Sequence, residues 1–169
     1  TLEGLDELRS PARGRDYMQG PGMAATALHR LAKPSIAAVD GVAIGAGMNL
    51  ALGCDVVIAT NRAQFGEVFV RRGLTLDFGG TWLLPRLVGM ARARELALTG
   101  RIVSADEAID MGLISRVVAP GELEDAAATL AGDLAAGAPL AQRFFKKGLS
   151  RSLDMTFEQA ISYEDQAQA

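Results

Sequence analysis

Two short apolar segments, separated and followed by small residues, limit the folds available to this chain. Residues 35–39 form the first segment and predict a buried strand. Asp40 and Gly41 interrupt it, and residues 41–47 predict a second strand that runs into a tight turn. Residues 48–53 then predict a helix of small side chains that packs closely on its neighbours. The pattern indicates a strand–strand–helix unit whose turn carries no bulky side chain.

The remainder of the chain alternates strands and helices and then becomes helical. Residues 1–22 predict a polar surface loop. Further strands are predicted at residues 55–60 and 113–118, and helices at residues 23–33, 79–88, 91–98, 122–136, 140–151 and from Thr156. The composition shifts to alanine-rich helices at Pro120. We therefore expect an α/β core over residues 1–119 and a helical region over residues 120–169.

Composition and charge exclude several functional classes. Of the 169 residues, 49% are hydrophobic and 22% are charged, which excludes an intrinsically disordered chain. The net charge of −3 lacks the basic footprint of a nucleic-acid binder. The longest uncharged run, residues 41–54, is too short to cross a bilayer, so no membrane partner is expected. A single cysteine, Cys54, fits a reducing compartment, and we expect a cytoplasmic protein.

The turn Gly45-Ala46-Gly47 is a candidate anion site. Small residues between a strand and a helix let backbone N–H groups face a ligand oxygen, and the helix adds its positive N-terminal end. Close packing of the helix on the strand uses the same small residues and is the alternative interpretation. A dinucleotide-binding fingerprint is excluded, because Leu50 stands where the third glycine would be needed.

Asp77 is the second candidate, in a loop that opens a helix. Aspartate is a favoured N-cap residue, and the local sequence favours that structural role. The alternative is a carboxylate among apolar side chains, where desolvation raises the pKa towards that of a useful base. His29 has no evident partner and is expected at the surface. Spacings typical of metal ligands are absent from the sequence, so no metal site and no cofactor are expected.

The sequence KPSIAAVDGVAIGAG at residues 33–47 closely resembles the signature of the crotonase (enoyl-CoA hydratase/isomerase) superfamily. The similarity covers residues 31–118 and includes AQFG at residues 63–66 and GGT at residues 79–81. The resemblance implies a crotonase-like spiral of β-β-α units, a C-terminal helical region, acyl-CoA substrates and a homotrimer or hexamer. Members of this family are longer, so the chain is expected to lack N-terminal strands and the last helices.

The resemblance also assigns an oxyanion hole and two acid–base positions. One amide of the hole lies upstream of Thr1 in the family, and the second falls on the N–H of Ala46. The two glutamates that a hydratase of the family uses fall on Asn49 and Phe69, neither of which can exchange a proton. The usual two-glutamate hydration is therefore not expected. Glu67 is a weak substitute, which would share a face with Phe69 if both lie in a strand.

The loop sequence GLTLDFGG at residues 73–80 matches the pattern in which several isomerases of the superfamily carry their catalytic base. The run GGTWLLPRLVG at residues 79–89 resembles the 1,2-epoxyphenylacetyl-CoA isomerase branch. The resemblance implies that Asp77 is the base. It also places Gly45, Gly47, Asn49, Phe69, Phe78 and Trp82 around the substrate, although core packing explains the aromatic residues nearly as well.

The expected reaction is a double-bond shift from a 3-enoyl-CoA to a 2-enoyl-CoA. One carboxylate is sufficient to carry a proton from C2 to C4, whereas hydration needs an acid and a base. No cofactor is expected beyond the coenzyme A thioester of the substrate itself. The alternatives are an enoyl-CoA hydratase with a non-standard acid, such as Glu67, and a non-catalytic acyl-CoA-binding paralogue.

Overall fold

The computed structural model describes the backbone of residues 11–168 and, in the first helix, the side chains from Met18 onward. The strands are β1 (Ile36–Val39), β2 (Val42–Ile44), β3 (Val56–Thr60), β4 (Gln64–Gly66), β5 (Ile102–Ser104) and β6 (Arg116–Val118). The helices are α1 (Pro11–His29), α2 (Ala46–Leu52), α3 (Gly80–Thr99), α4 (Ala105–Asp110), α5 (Leu123–Ala136), α6 (Pro139–Arg151) and α7 (Phe157–Gln168). Short 3₁₀ segments lie at Val68–Arg72, Pro120–Glu122 and Ser152–Asp154.

The strands form two three-stranded sheets, and the first four strands belong to them alternately. One sheet has the order β1-β3-β6 and is wholly parallel, with Ile36 opposite Val56. The other has the order β2-β4-β5, parallel between β2 and β4 and antiparallel between β4 and β5. Each of the first two β-β-α turns thus gives one strand to each sheet and then a helix. This arrangement confirms the predicted α/β spiral.

The core lies where the sheets meet α2 and α3. Its fully buried side chains include Met48 of α2, Phe65 of β4, and Leu84 and Leu96 of α3. Burying a side chain of this size contributes about 1.5 to 3 kcal/mol, so this cluster fixes the two helices against the sheets. Both segments that carry candidate site residues are therefore anchored by the core.

The first helix differs from its prediction at both ends. Residues 11–22, expected in a loop, lie in α1, and the helix stops at His29 instead of residue 33. The glycines around Pro21 weaken the local helix signal, but tertiary packing overrides such propensities. The Leu28 side chain packs on Gly53, where a Cβ atom would lie 3.0 Å from Cδ2 of Leu28. The remainder of the predicted loop, residues 1–10, lies outside the described residues.

The two helical segments predicted on either side of Gly89 are confirmed within α3. Gly89 has a φ of 76° and a ψ of 161°, which interrupts the helical backbone. Of residues 113–118, predicted as one strand, only Arg116–Val118 pairs in a sheet. The backbone N–H of Leu113 donates to the carbonyl of Ala108, so this stretch first closes the end of α4.

The helical region after β6 packs on the parallel sheet, where α5 contacts β1 and β3. Lys146 of α6 ties this region to the core, because its Nζ lies 2.6 Å from Oδ2 of Asp55 and 2.9 Å from the carbonyl of Lys33. The division of the chain at residue 120 stays a prediction. In the part of the chain that the structure describes, no helix combines the length and hydrophobicity that crossing a bilayer requires.

Candidate active site

The candidate anion site is the turn between β2 and α2. Gly45 adopts a φ of 55° and a ψ of −128°, a conformation that glycine tolerates best. Its N–H donates to the carbonyl of Gly66 over 2.8 Å. The helix begins at Ala46, two residues earlier than predicted, so the Ala46 N–H lies in the first turn and has no acceptor within the helix. Ala46 and Gly47 are both exposed, which leaves this helix end accessible.

The ring of Phe69 packs on the turn at Gly45. It belongs to the 3₁₀ segment Val68–Arg72 and is half-buried. A Cβ atom on Gly45 would lie 3.3 Å from Cζ of the Phe69 ring, so the ring packs directly on this glycine. The structure therefore places Phe69 beside the candidate anion site, where it supplies an apolar surface and no titratable group.

Glu67 lies in a different environment from the one predicted. It precedes the 3₁₀ segment and is not part of a strand, so it does not share a strand face with Phe69. Both Glu67 and Asn49 are fully buried. The Nδ2 atom of Asn49 lies 3.4 Å from Oε2 of Glu67 and 3.1 Å from the backbone oxygen of Asp77. Asn49 therefore connects two segments, and in this structure its side chain is closed off from solvent.

Asp77 begins a tight turn that leads into α3. The N–H of Gly80 donates to the Asp77 carbonyl over 2.8 Å, and the two residues between them, Phe78 and Gly79, have φ values of 48° and 87°. Positive φ at both central positions is typical of a type I′ turn. Because this turn puts Gly79 at the N-cap of α3, the interpretation of Asp77 as the helix cap is wrong.

Burial controls the ionisation of both carboxyl groups. The pKa of Glu67 is raised to about 7, mainly by burial; the hydrogen bond from Asn49 lowers it, and the nearby Asp77 charge adds a smaller increase. Burial also raises the pKa of Asp77. Among the described residues, Oδ1 of Asp77 and Oε1 of Glu67 are buried and have no hydrogen-bond partner. Burying a polar atom without a hydrogen-bond partner costs free energy, and carboxyl groups with shifted pKa values are found disproportionately at functional sites.

A cavity of about 380 Å³ opens next to this turn, between α1 and the start of α3. Phe78 and Trp82, which the resemblance places around the substrate, both line it; their role in binding stays a prediction. His29, expected to have no partner, packs edge-on against Trp82 with ring centroids 5.1 Å apart. The guanidinium carbon of Arg86 lies 3.9 Å from the centroid of the same ring. The Trp82 ring therefore contacts both His29 and Arg86.

The structure gathers the predicted residues into two adjoining groups. Gly45, Ala46 and Gly47 form the turn of the candidate anion site, on which Phe69 packs, whereas Asp77 and Phe78 lie just before α3 and Trp82 lies in its first turn. Asn49 is buried and contacts the backbone of Asp77. The structural role of Gly80 and the contact of His29 with Trp82 were not predicted, although the exposure of His29 confirms its expected surface position. No group of three or more His, Cys, Asp or Glu side chains among the described residues is placed to hold a metal ion.

Comparison with known proteins identifies the family of this chain. The family model described as enoyl-CoA hydratase/isomerase matches residues 9–169. The chain is 41% identical to a short-chain-enoyl-CoA hydratase of Clostridium acetobutylicum, over 83% of this chain and 54% of that protein. It is 44% identical to a 1,2-epoxyphenylacetyl-CoA isomerase of Escherichia coli, over 81% of this chain and 52% of that protein. The chain thus spans about half the length of these curated relatives.

Solved structures show the same fold. An enoyl-CoA hydratase/isomerase from Cupriavidus metallidurans superposes with a TM-score of 0.91 at 37% identity, covering 98% of this chain and 62% of that one. A putative enoyl-CoA hydratase from Thermobifida fusca, solved in complex with CoA, gives a TM-score of 0.81 at 41% identity, covering 83% and 55%. The family match, these identities and the spiral of β-β-α turns agree, and the chain belongs to the enoyl-CoA hydratase/isomerase family.

Proposed function

We propose that this protein shifts the double bond of a 3-enoyl-CoA thioester to give the conjugated 2-enoyl-CoA. The observation that carries the proposal is Asp77, whose Oδ1 is buried without a hydrogen-bond partner and whose pKa is raised by burial. A carboxylate that is poorly solvated is a stronger base than one in water. Asp77 also directly precedes Phe78, which lines the cavity together with Trp82.

The proposed reaction needs one base and an oxyanion site. Asp77 takes a proton from C2, the electron pair moves onto the thioester oxygen, and the same proton returns to C4 as the double bond moves. The N–H of Ala46 donates to the oxygen while it carries negative charge. One such donor is worth about 3 to 4 kcal/mol in the transition state. The proton balance closes without a metal ion, a redox cofactor or a second acid.

Water has to be kept from the intermediate for this reaction to dominate. Phe69 packs on the anion-binding turn, and Phe78 and Trp82 line the adjoining cavity. None of the three can activate a water molecule. The names of the relatives suggest an acyl-CoA substrate. We propose that these aromatic side chains surround its acyl group.

Hydration of a 2-enoyl-CoA is the second candidate. Several relatives bear the name of hydratase, and Glu67 favours this reaction because a pKa of about 7 lets a carboxyl group hold and release a proton near neutral pH. However, Glu67 is fully buried, and Asn49 contacts it on the side of Asp77. An acid that protonates substrate has to reach the substrate, and Asp77 is only half-buried, so we place hydration second.

We also propose that the helical region joins copies of this chain into a homotrimer, or a hexamer of two trimers. Several large apolar side chains there are largely exposed, including Leu149 at 74% and Phe157 at 76%. Exposed apolar clusters of this kind mark association surfaces. Light scattering of the intact protein tests the assembly, and a monomer at micromolar concentration would contradict it. A cytoplasmic location also stays a prediction.

The test of the reaction compares the wild type with Asp77→Asn, and uses Asp133→Asn on the exposed face of α5 as the matched control. A 3-enoyl-CoA and, separately, a 2-enoyl-CoA are supplied while the conjugated thioester absorbance is followed. We expect conjugation to appear with the wild type and the control, and to be lost in Asp77→Asn. Loss of conjugation from the 2-enoyl-CoA would instead show a hydratase. Binding without turnover of either would show a non-catalytic paralogue.

A further inference from the structure

Glu67 is the fully buried acidic side chain that the proposed isomerisation does not use. Its carboxyl group is 0% exposed, and within the described residues only Asn49 is within hydrogen-bond distance of it. Burying an ionisable side chain with few hydrogen bonds costs free energy. Such side chains are found disproportionately at functional sites. The side chain that it contacts also contacts the segment that carries the proposed base.

The carboxamide of Asn49 has its orientation fixed by Asp77. A backbone carbonyl only accepts hydrogen bonds, so the Asn49 atom that lies 3.1 Å from the Asp77 oxygen has to be the amide nitrogen. That same NH₂ group faces Oε2 of Glu67 at 3.4 Å and therefore needs an acceptor there. A glutamate offers an acceptor oxygen whether it is ionised or protonated.

The turn that Asn49 holds is a strained one. Phe78 has a φ of 48°, in the left-handed region that side chains other than glycine rarely adopt. Such conformations cost about 1 to 3 kcal/mol and persist only where surrounding contacts enforce them. The Asp77 carbonyl receives two such contacts, from the N–H of Gly80 and from Nδ2 of Asn49.

We propose that Glu67 and Asn49 are positioning residues for Asp77. Glu67 accepts from the Asn49 amide and holds it, and Asn49 holds the turn from which the Asp77 carboxylate meets the substrate. This inference rests on the proposed function, because it treats Asp77 as the base. Neither residue transfers a proton to the substrate in this scheme.

The experiment compares one variant of Glu67 that lacks a hydrogen-bond acceptor with another that keeps one. Glu67→Met keeps an unbranched side chain and removes both oxygens, whereas Glu67→Gln keeps a carbonyl acceptor and removes the charge. Glu124→Met, at an exposed position of α5, is the matched control for the same chemical change. The kcat and KM for a 3-enoyl-CoA are measured on the intact protein, with circular dichroism and thermal unfolding to establish folding.

We expect Glu67→Met to lower kcat at least tenfold with KM changed less than threefold, and Glu67→Gln to restore at least a third of the wild-type kcat. A purely structural role would lower the amount of folded protein and leave the kcat of the folded fraction unchanged. Asn49→Leu removes the donor itself and should lower kcat as Glu67→Met does.

Two outcomes overturn the inference. Wild-type kcat in folded Glu67→Met shows that Asp77 needs no such support, and a Gln variant as inactive as the Met variant shows that Glu67 acts through its own proton or charge. Both are distinct from failure of the proposed function. Activity retained in Asp77→Asn overturns the isomerase mechanism, whereas loss in Asp77→Asn with wild-type kcat in Glu67→Met overturns this inference alone.

Discussion

The carboxamide of Asn49 occupies the space that a side chain on Gly80 would need. A Cβ atom on Gly80 would lie 2.5 Å from Nδ2 of Asn49 and 2.8 Å from its Oδ1. Gly80 is itself buried at the start of α3, and its N–H donates to the Asp77 carbonyl. The glycine therefore allows two donors to reach the same oxygen.

Gly80→Ala is expected to push Asn49 away from the turn and to destabilise the protein by about 1 to 3 kcal/mol through overpacking. Denaturant unfolding measures this free energy. Gly132→Ala is the control, because a Cβ atom there meets nothing within 4 Å and alanine is the better helix former. Equal unfolding free energies for the two variants would show that Asn49 relocates without penalty.

Ala46→Pro removes the N–H assigned to the oxyanion while keeping the helix, since proline is well tolerated at a first helical position. We expect kcat to fall by about 10² to 10³, as for the loss of one oxyanion donor. Ala46→Gly keeps the N–H and should retain most of the activity. A fully active, folded Ala46→Pro variant would exclude this amide from the mechanism.

The stability of the protein should depend on the ionisation of Glu67. Its pKa is about 7 in the folded protein and 4.5 in the unfolded chain, so the folded state holds the proton more tightly between these values. The stabilising contribution is therefore complete below pH 4.5 and is lost as the pH rises to about 7. It corresponds to a free energy on the order of 3 kcal/mol.

Glu67→Gln removes this dependence, because glutamine does not ionise. Relative to the wild type, its unfolding free energy should rise between about pH 4.5 and pH 8 by an amount of that order. Denaturant unfolding at several pH values measures the difference. Parallel curves for the two proteins would mean that Glu67 titrates in the fold much as it does in water.

Lys146→Ala should weaken the attachment of α6 to the core. The lysine donates to both the Asp55 carboxylate and the Lys33 carbonyl, and its side chain is only 17% exposed. Loss of charged hydrogen bonds at a half-buried position costs about 2 kcal/mol. The neighbouring exposed residue gives the control, and Lys147→Ala should change the unfolding free energy by less than about 0.5 kcal/mol.

Trp82→Ala should act on substrate binding. The indole lines the cavity and contacts both His29 and Arg86, so its removal opens the wall on the side of α1. We expect KM for the acyl-CoA to rise about tenfold, with kcat less affected. Leu98→Ala on the same helix removes a side chain that is 73% exposed and should leave KM unchanged. An unchanged KM in Trp82→Ala would remove this cavity from the substrate pathway.

The local pattern was sufficient to predict the first β-β-α unit, because short apolar runs and glycines mark strands and turns directly. The break at Gly89 was predicted for the same reason. The first helix was not, because residues 11–22 have weak helical propensity and are part of a helix that also packs through Leu28. Contacts distant in sequence are invisible to a local pattern.

Part of the candidate site was also predicted from the sequence, and part was not. The turn at Gly45-Ala46-Gly47 and the aromatic wall at Phe78 and Trp82 were located from the sequence and its resemblance, and their catalytic roles stay predictions. The contact of Asn49 with Asp77 was not predicted, because it joins residues 28 positions apart. The mistaken helix cap at Asp77 arose because residue type alone does not reveal positive φ at Phe78.

The spiral keeps the two halves of the proposed chemistry on separate pieces of chain. The amide at Ala46 belongs to the first β-β-α turn and Asp77 to the second, and Asn49 of α2 connects the two through its contact with the Asp77 carbonyl. If the proposed roles hold, a change at residue 77 alters the proton transfer while the Ala46 amide keeps its place at the start of α2.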